Sequence, residues 1–281
     1  MTIQTDALKA LVEKAGANDD IEYIDPHFPD RPLRLWTARP KAWHPAMPVV
    51  FAFHGAARNA DVYRDYWLPV VDETGVLVIA PEYRQDHFPD LRWFNFGNLL
   101  DDDGKALPRS ESTYAIIPRL YAALREEGLT THPTCAIFGH SAGSQYVQRS
   151  LSAGFTEYIG AAIAANAGTY GMADLSVRYP YGLAGIGVDE PALLKLLEFP
   201  LVVMAGTLDI DHDDPTFPKE AEAMVQGWTR YERAHRYFDS AREAADARRA
   251  RFGWSMVDVV GVGHEGAKIT VAAAEILKKG F

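Results

Sequence analysis

Short apolar runs recur along this chain, and longer stretches with helical spacing separate them. The runs cover residues 48–53, 76–80, 134–138, 161–165, 201–205 and 256–260. Several are rich in Val or Ile, and nearly all end at Gly, Pro or His, which is typical of strands that a parallel sheet buries on both faces. Strands that alternate with helices predict an α/β fold, a doubly wound, mostly parallel sheet with helices on both faces.

The intervening segments support this pattern. Helical spacing is present around Pro118, which should open or kink its helix, in residues 216–251 and in residues 269–277. Residues 21–37 predict two short strands around Asp-Pro and Pro-Asp turns. Residues 168–200 interrupt the alternation with a stretch rich in Tyr, Gly and Pro that is too long for a simple connection. We expect one domain over residues 1–281, with 168–200 as an insertion or lid near the active site; a surface loop without function is the alternative.

Composition excludes several classes of protein. The chain has 28 Lys and Arg against 38 Asp and Glu, a net charge of −10, so it should repel nucleic acid. Cys135 is its single cysteine, which rules out an internal disulfide and a cysteine zinc site. No apolar stretch has the length of a membrane span or a signal peptide, so we expect a cytoplasmic protein without a membrane partner.

Residues 139–143 read G-H-S-A-G and fit the G-x-S-x-G pattern of a nucleophilic serine. The pattern requires a sharp turn between a strand and a helix, and Ser141 lies between the apolar run 134–138 and a plausible helix at 144–151. The glycines are needed because the backbone packs too tightly at this turn for side chains. The sequence therefore predicts Ser141 as a nucleophile.

The partners of such a serine follow it in the order acid, then histidine. His264 lies in a Gly-rich loop after the last apolar run and before the last helix, so it is the predicted general base, with His212 and His54 next in line. Asp209 follows the run 201–205 directly and is the predicted acid, with Asp211 as the alternative.

Two backbone N–H groups should stabilise the oxyanion that forms during the reaction. One is expected from Ala142, which follows the serine, and the other from Ala56, or alternatively Ala57, in the loop after residues 48–53. His54 in the same loop is expected to be a structural brace. A substrate pocket is predicted from aromatic and amide side chains that follow strand ends or lie in the insertion: Tyr83, Trp93, Phe94, Asn95, Tyr170 and Tyr181.

The motifs HGAARN, GHSAG, GTLD and GVGH together resemble the α/β-hydrolase superfamily over nearly the whole chain. The resemblance is closest to the esterase branch related to poly(3-hydroxyalkanoate) depolymerases, and residues 166–170 and 179–182 resemble its intracellular hydrolases. Ser144 stands where a second glycine usually follows S-A-G, and the disulfide cysteines of secreted depolymerases are absent. The resemblance implies a reaction class rather than a polymer substrate.

These observations favour a hydrolase that cleaves a small or oligomeric carboxylic ester through an acyl-enzyme, without a cofactor or metal. An amidase, peptidase or lactonase would use the same three side chains. A binding protein on this fold would usually have lost one of them. A metal-dependent hydrolase would depend on His212 and the neighbouring aspartates, which lack calcium-loop spacing.

Overall fold

Within residues 3–279, which this computed structural model describes, eight strands form one sheet in the order β1-β2-β4-β3-β5-β6-β7-β8. The strands are β1 Gly16–Tyr23, β2 Leu33–Arg39, β3 Val49–Phe53, β4 Leu77–Glu82, β5 Cys135–His140, β6 Ile159–Ala165, β7 Leu201–Gly206 and β8 Ser255–Val259. β2 pairs antiparallel with β1 and β4, and the other neighbours are parallel. The predicted mostly parallel sheet is confirmed.

Helices cover both faces of the sheet. They are α1 Ile3–Ala10, α2 Ala60–Thr74, α3 Ile116–Glu126, α4 Ala142–Ser152, α5 Glu190–Glu198, α6 Ala221–Met224, α7 Arg230–Arg248 and α8 Gly266–Leu277. One core joins the sheet to α2 and α8 through residues such as Trp67 and Ile269. A second core joins the opposite face to α3, α4, α5 and α7. The winding is therefore double, as the alternation of strands and helices predicts.

Two element predictions are wrong in part. Residues 216–251 are not one helical region: a loop extends to 220, α6 has a single turn, and α7 begins only at Arg230. Pro218 and Gly227 interrupt the helical spacing, and Thr229 caps α7 by accepting the N–H of Glu232 at 3.1 Å. The run 256–260 does form a strand, but β8 is not buried on both faces, because it lies at the edge of the sheet.

The segment 168–200 is also more regular than expected, because its last part forms α5. The remainder, 168–189, is without helix or strand, and buried side chains hold it against the rest of the domain. Gln226 accepts the N–H of Tyr170 at 2.9 Å and donates to the carbonyl of the same residue at 2.7 Å. That this segment acts as a lid stays a prediction. Among the helices of residues 3–279, none has the length and apolar composition needed to cross a bilayer.

Candidate active site

Ser141 lies on a tight turn between β5 and α4. Its φ of 58° and ψ of −119° are strained for a residue with a side chain, and its N–H donates to the carbonyl of Ala165 at 3.0 Å. A Cβ on Gly139 would lie 2.2 Å from the carbonyl oxygen of Gly143, and one on Gly143 would lie 2.2 Å from that of Phe53. Both positions therefore require glycine, and the turn presents Ser141 beyond the end of β5.

His264 lies between Ser141 and Asp209 and contacts both. Its Nε2 is 3.0 Å from Ser141 Oγ, and its Nδ1 is 2.7 Å from Asp209 Oδ2. An ionised carboxylate can only accept, so Nδ1 carries the proton and Nε2 is free to accept the serine hydroxyl. The side chain of Asp209 is 2% exposed and that of His264 is 24% exposed. Solvent therefore reaches the histidine but hardly reaches the carboxylate behind it.

The alternative acid, Asp211, is not brought to His264. Its side chain is exposed and accepts the N–H of Asp213 at 2.9 Å within the same loop. His212, the alternative base, packs against Trp228 with tilted rings whose centroids are 5.4 Å apart. Neither residue joins the contacts made by His264. Within residues 3–279, no three His, Cys, Asp or Glu side chains are grouped so as to hold a metal ion.

Arg230 is a charged neighbour of Asp209 that the sequence analysis missed. Its side chain is 2% exposed, and Nη1 lies 3.6 Å from Asp209 Oδ1 and 2.9 Å from Asp214 Oδ2. Burial raises the pKa of Asp214, but hydrogen bonds from Thr216 and the Arg230 charge outweigh burial and leave that pKa below its ordinary value. The sequence signal that could have located Arg230 is Thr229, a residue type that often caps helices, because a cap there places Arg230 in the first turn of α7.

Asn166 is a second residue that the sequence analysis missed. It has a left-handed backbone, with φ at 52°, directly after β6. Its Nδ2 donates to the carbonyl of Gly263 at 3.1 Å, and its Oδ1 accepts the N–H of Gly206 at 2.9 Å. One amide therefore joins the loop that carries Asp209 to the loop that carries His264. An Asn at the end of a strand, where a left-handed conformation is common, was the only sequence signal.

Two further histidines lie beside the site, and burial lowers the pKa of each. His54 has its pKa lowered to about 3; its Nε2 accepts the N–H of Tyr83 at 3.0 Å, and its Nδ1 donates to the carbonyl of Gly55 at 2.9 Å. It has the position of the expected brace. His140 has its pKa lowered well below the ordinary value and lies 4.6 Å from His264 between ring centroids. Both rings are held neutral.

The loop after β3 passes beside the nucleophile. A Cβ on Gly55 would lie 3.7 Å from Ser141 Cβ, and the next two residues, Ala56 and Ala57, are exposed. Ala142 is the first residue of α4, and the first amides of a helix have no acceptor within it. The loop after β3 and the first residue of α4, which are predicted to supply the oxyanion donors, therefore meet at Ser141, while the donor role itself stays a prediction.

Three of the predicted pocket residues, Tyr83, Phe94 and Tyr170, are wrongly placed by the sequence analysis. Each is fully buried. The Tyr83 hydroxyl lies 2.9 Å from that of Tyr146, Phe94 packs in the same aromatic cluster, and Tyr170 stacks on Tyr237 with centroids 4.6 Å apart. They belong to the core because a position after a strand end does not fix the direction of the side chain.

The other three predicted pocket residues, Asn95, Trp93 and Tyr181, differ from one another in burial. Asn95 is also buried, contrary to the prediction, and donates from Nδ2 to Gln145 Oε1 at 2.6 Å. Trp93 and Tyr181 are only partly buried. The Tyr181 hydroxyl donates to Glu220, and its ring lines a cavity of about 1100 Å³ between residues 172–181 and α7. Ser141 does not line this cavity, and a substrate role for Trp93 and Tyr181 stays a prediction.

A serine on a strand–helix turn, at the carboxyl end of a central strand in a mostly parallel eight-stranded sheet, defines an α/β-hydrolase. The chain is 33% identical to LpqC, the poly(3-hydroxybutyrate) depolymerase from Bordetella parapertussis, over 100% of this chain and 95% of that one, with a TM-score of 0.94. It is also 33% identical to poly(aspartic acid) hydrolase-1 from Sphingomonas sp. KT-1, over 94% of this chain and 98% of that one, with a TM-score of 0.89. The chain therefore belongs to the α/β-hydrolase superfamily, in its esterase branch.

More distant structures share only the fold. An S-formylglutathione hydrolase from Agrobacterium tumefaciens is 18% identical, over 94% of this chain and 93% of that one, with a TM-score of 0.60. No protein-family model matches the sequence, and no curated protein matches it. The predicted superfamily, the α/β fold and the class of enzyme, a hydrolase of the esterase branch, are confirmed.

Proposed function

We propose that this protein is a serine hydrolase that cleaves a carboxylic ester through an acyl-enzyme. Ser141 is the nucleophile, His264 the general base and Asp209 the acid that orients the base. One observation carries the proposal, the continuous line of contacts from Ser141 Oγ to His264 Nε2 at 3.0 Å and from His264 Nδ1 to Asp209 Oδ2 at 2.7 Å. The relatives named above, which include a polyester depolymerase, support an ester as the substrate.

In the first half-reaction, Ser141 Oγ attacks the ester carbonyl carbon while its proton passes to His264 Nε2. Asp209 stabilises the resulting imidazolium through Nδ1–H. The carbonyl oxygen gains negative charge and accepts hydrogen bonds from the backbone N–H groups of Ala56 and Ala142. When the intermediate collapses, the C–O bond to the alcohol breaks, and the departing oxygen takes the proton from Nε2.

In the second half-reaction, water takes the place of the alcohol. His264 removes a proton from the water, whose oxygen attacks the acyl carbon, and the proton then passes to Ser141 Oγ as the acid leaves. No step in this sequence needs a cofactor. We further propose a small or oligomeric ester as the substrate. We also propose the cytoplasm as the place of action, which is supported by the single cysteine, Cys135, because it is buried and free.

The proposal is tested by labelling Ser141 with a fluorophosphonate and by measuring hydrolysis of 4-nitrophenyl esters. We expect Ser141→Ala to lose both labelling and turnover while remaining folded, because among the described residues the Ser141 side chain hydrogen-bonds only to His264. Ser144→Ala is the matched control, because Ser144 is fully buried and cannot meet the probe. A Ser141→Ala protein that is still labelled would place the nucleophile elsewhere.

Amide hydrolysis is the second candidate, and one comparison favours it. Poly(aspartic acid), the substrate of the Sphingomonas relative, is linked by amide bonds, and that relative is as similar in sequence as the depolymerase. The same three side chains would serve both reactions. A 4-nitrophenyl ester and a 4-nitroanilide of one acyl group distinguish them: the ester proposal expects turnover of the ester alone, and an anilide cleaved as fast as the ester would favour the amidase.

A further inference from the structure

Gln145 lies one helical turn after Ser141 on α4. Its N–H donates to the carbonyl of Ser141 at 3.2 Å. Because Cα–Cβ bonds in a helix tilt toward the N-terminus, the side chain of Gln145 leans back toward the end of α4 that carries the serine. The residue is 8% exposed, so it is mostly enclosed but still reachable by a small group.

The orientation of the Gln145 amide is fixed by Arg149, whose guanidinium can only donate, and Asn95 donates to the same oxygen. Arg149 Nη1 donates to Gln145 Oε1 at 3.0 Å, and Asn95 Nδ2 donates to the same oxygen at 2.6 Å. A guanidinium cannot accept, so the amide oxygen must face Arg149 and the amide nitrogen must face away. Arg149 is itself fully buried and held by the carbonyl of Pro180 at 3.0 Å and Thr169 Oγ1 at 2.9 Å.

The nitrogen of Gln145 faces the loop after β6. A Cβ on Gly168 would lie 3.0 Å from Nε2 and 3.1 Å from Pro218, so the glycine leaves space there that a side chain would fill. Gly168 is two residues beyond Asn166, which binds the loops that carry Asp209 and His264. Among the described residues, Nε2 makes no hydrogen bond, although both donors to Oε1 are in place.

We propose that Gln145 is a specificity-determining residue that donates a hydrogen bond from Nε2 to a second oxygen of the acyl group, beyond the reacting carbonyl. This assignment depends on the proposed function. An acyl oxygen at this position would accept a hydrogen bond from Nε2, whereas an aliphatic group would displace water from the nitrogen and leave it without a partner. The site therefore favours acyl groups with a hydroxyl or carbonyl in the chain over purely aliphatic groups of the same shape.

The test uses the 4-nitrophenyl esters of 3-hydroxybutanoic and 3-methylbutanoic acid, which differ by a hydroxyl in place of a methyl. The quantity measured is the ratio of their kcat/KM values. We expect the ratio to fall about ten-fold in Gln145→Glu, which keeps both bonds to Oε1 but has no donor, and in Gln145→Met, as one neutral hydrogen bond predicts. Gln148→Glu is the matched control, because Gln148 is fully buried on the same helix, and it should keep the wild-type ratio.

A ratio unchanged in a folded Gln145 variant overturns the assignment and leaves the proposed function intact. Wild-type protein that hydrolyses neither ester overturns the proposed function and the assignment with it. A measurement that needs no variant completes the test: the two free acids are compared as inhibitors of the wild type. The hydroxy acid should bind about ten-fold more tightly, and equal inhibition overturns the role of Gln145.

Discussion

The two carboxylate oxygens of Asp209 have different partners. Oδ2 accepts from His264 at 2.7 Å, and Oδ1 lies 3.6 Å from the guanidinium of Arg230. A carboxylate that is 2% exposed would be costly without such partners, because burial removes its hydration. Arg230 thus places a positive charge beside the buried carboxylate that holds the imidazole.

Replacing Asp209 by Asn should reduce kcat by about 10⁴-fold, because the amide can donate to Nδ1 and would favour the wrong tautomer of His264. Asp211→Asn is the matched control, since Asp211 lies in the same loop and is exposed. It should remain within about two-fold of the wild type, as exposed substitutions away from a site usually do. A larger loss in the Asp211 variant would identify Asp211 as the acid. Steady-state kinetics with one aryl ester decide between them.

The sequence predicts Asp209 as the acid because it follows β7 directly, and it leaves Asp211, in the same loop, as the alternative. Both residues follow β7 within a few positions, and they differ in the direction in which their side chains point. The N–H of Asp209 donates to the carbonyl of Gly206 at 3.0 Å in a tight turn, and its side chain is buried, whereas that of Asp211 is exposed. The predicted pocket residue Tyr83 fails for the same reason, since its ring turns into the core.

At the scale of elements, α4 is the most enclosed helix of the fold. Every residue from Ala142 to Ser152 is buried, because β3, β5 and β6 cover one side and the segment that begins at 168 covers the other. Polar side chains in such a helix need partners. Gln145 and Gln148 have them at Oε1, whereas Ser144 Oγ has no hydrogen-bond partner among the described residues.

Ser144→Ala should therefore raise the free energy of unfolding by about 1 kcal/mol, because it removes a buried hydroxyl without a partner. Ser144→Gly, which restores the glycine usual after S-A-G, should be about 1 kcal/mol less stable than Ser144→Ala and therefore close to the wild type, because glycine has a poor helix propensity. Urea unfolding of the two variants and the wild type measures both changes. A Ser144→Ala protein less stable than the wild type would show that the hydroxyl has a partner.

The strands were predictable because burial on both faces leaves a direct trace in composition, as in β3 and β5, where every residue is buried. The structure of the region before α7 could not be predicted in this way. Arg233 donates to the carbonyls of Gly168 and Pro218, and these long-range bonds fix a loop where local spacing suggests helix. Contacts between residues this far apart in sequence leave no periodic pattern in the chain.

For the whole molecule, buried neutral histidines link stability to pH. His54 has its pKa lowered to about 3 by burial, against an ordinary value of about 6.5. Between these two values the unfolded chain binds a proton at His54 and the native protein does not, so unfolding is favoured as pH falls. Stability contributed by this group is present above about pH 6.5 and is lost progressively toward pH 3.

We expect the free energy of unfolding to fall with acidification by up to about 1.4 kcal/mol per pH unit for His54, with a further loss from His140. His54→Gln offers a donor and an acceptor but cannot titrate, so its dependence on pH should be shallower even if its stability at pH 7 is lower. His27→Gln is the control, because His27 is exposed. Urea unfolding at pH 6.5 and 5 measures the slopes, and equal slopes in the wild type and His54→Gln would exclude His54 as the source.

Asn166 constrains how this enzyme can be rebuilt. Its single amide sets the spacing between the Gly206 N–H and the Gly263 carbonyl, so the segments around Asp209 and His264 share one anchor. Leu208 N–H also donates to the carbonyl of Val262 at 2.9 Å. In an engineered chimera, the segments around Asp209 and His264 should be exchanged together with Asn166. A chimera that exchanges only one of them with a relative would separate donors and acceptors that were built to match, whereas moving all three together would preserve the alignment.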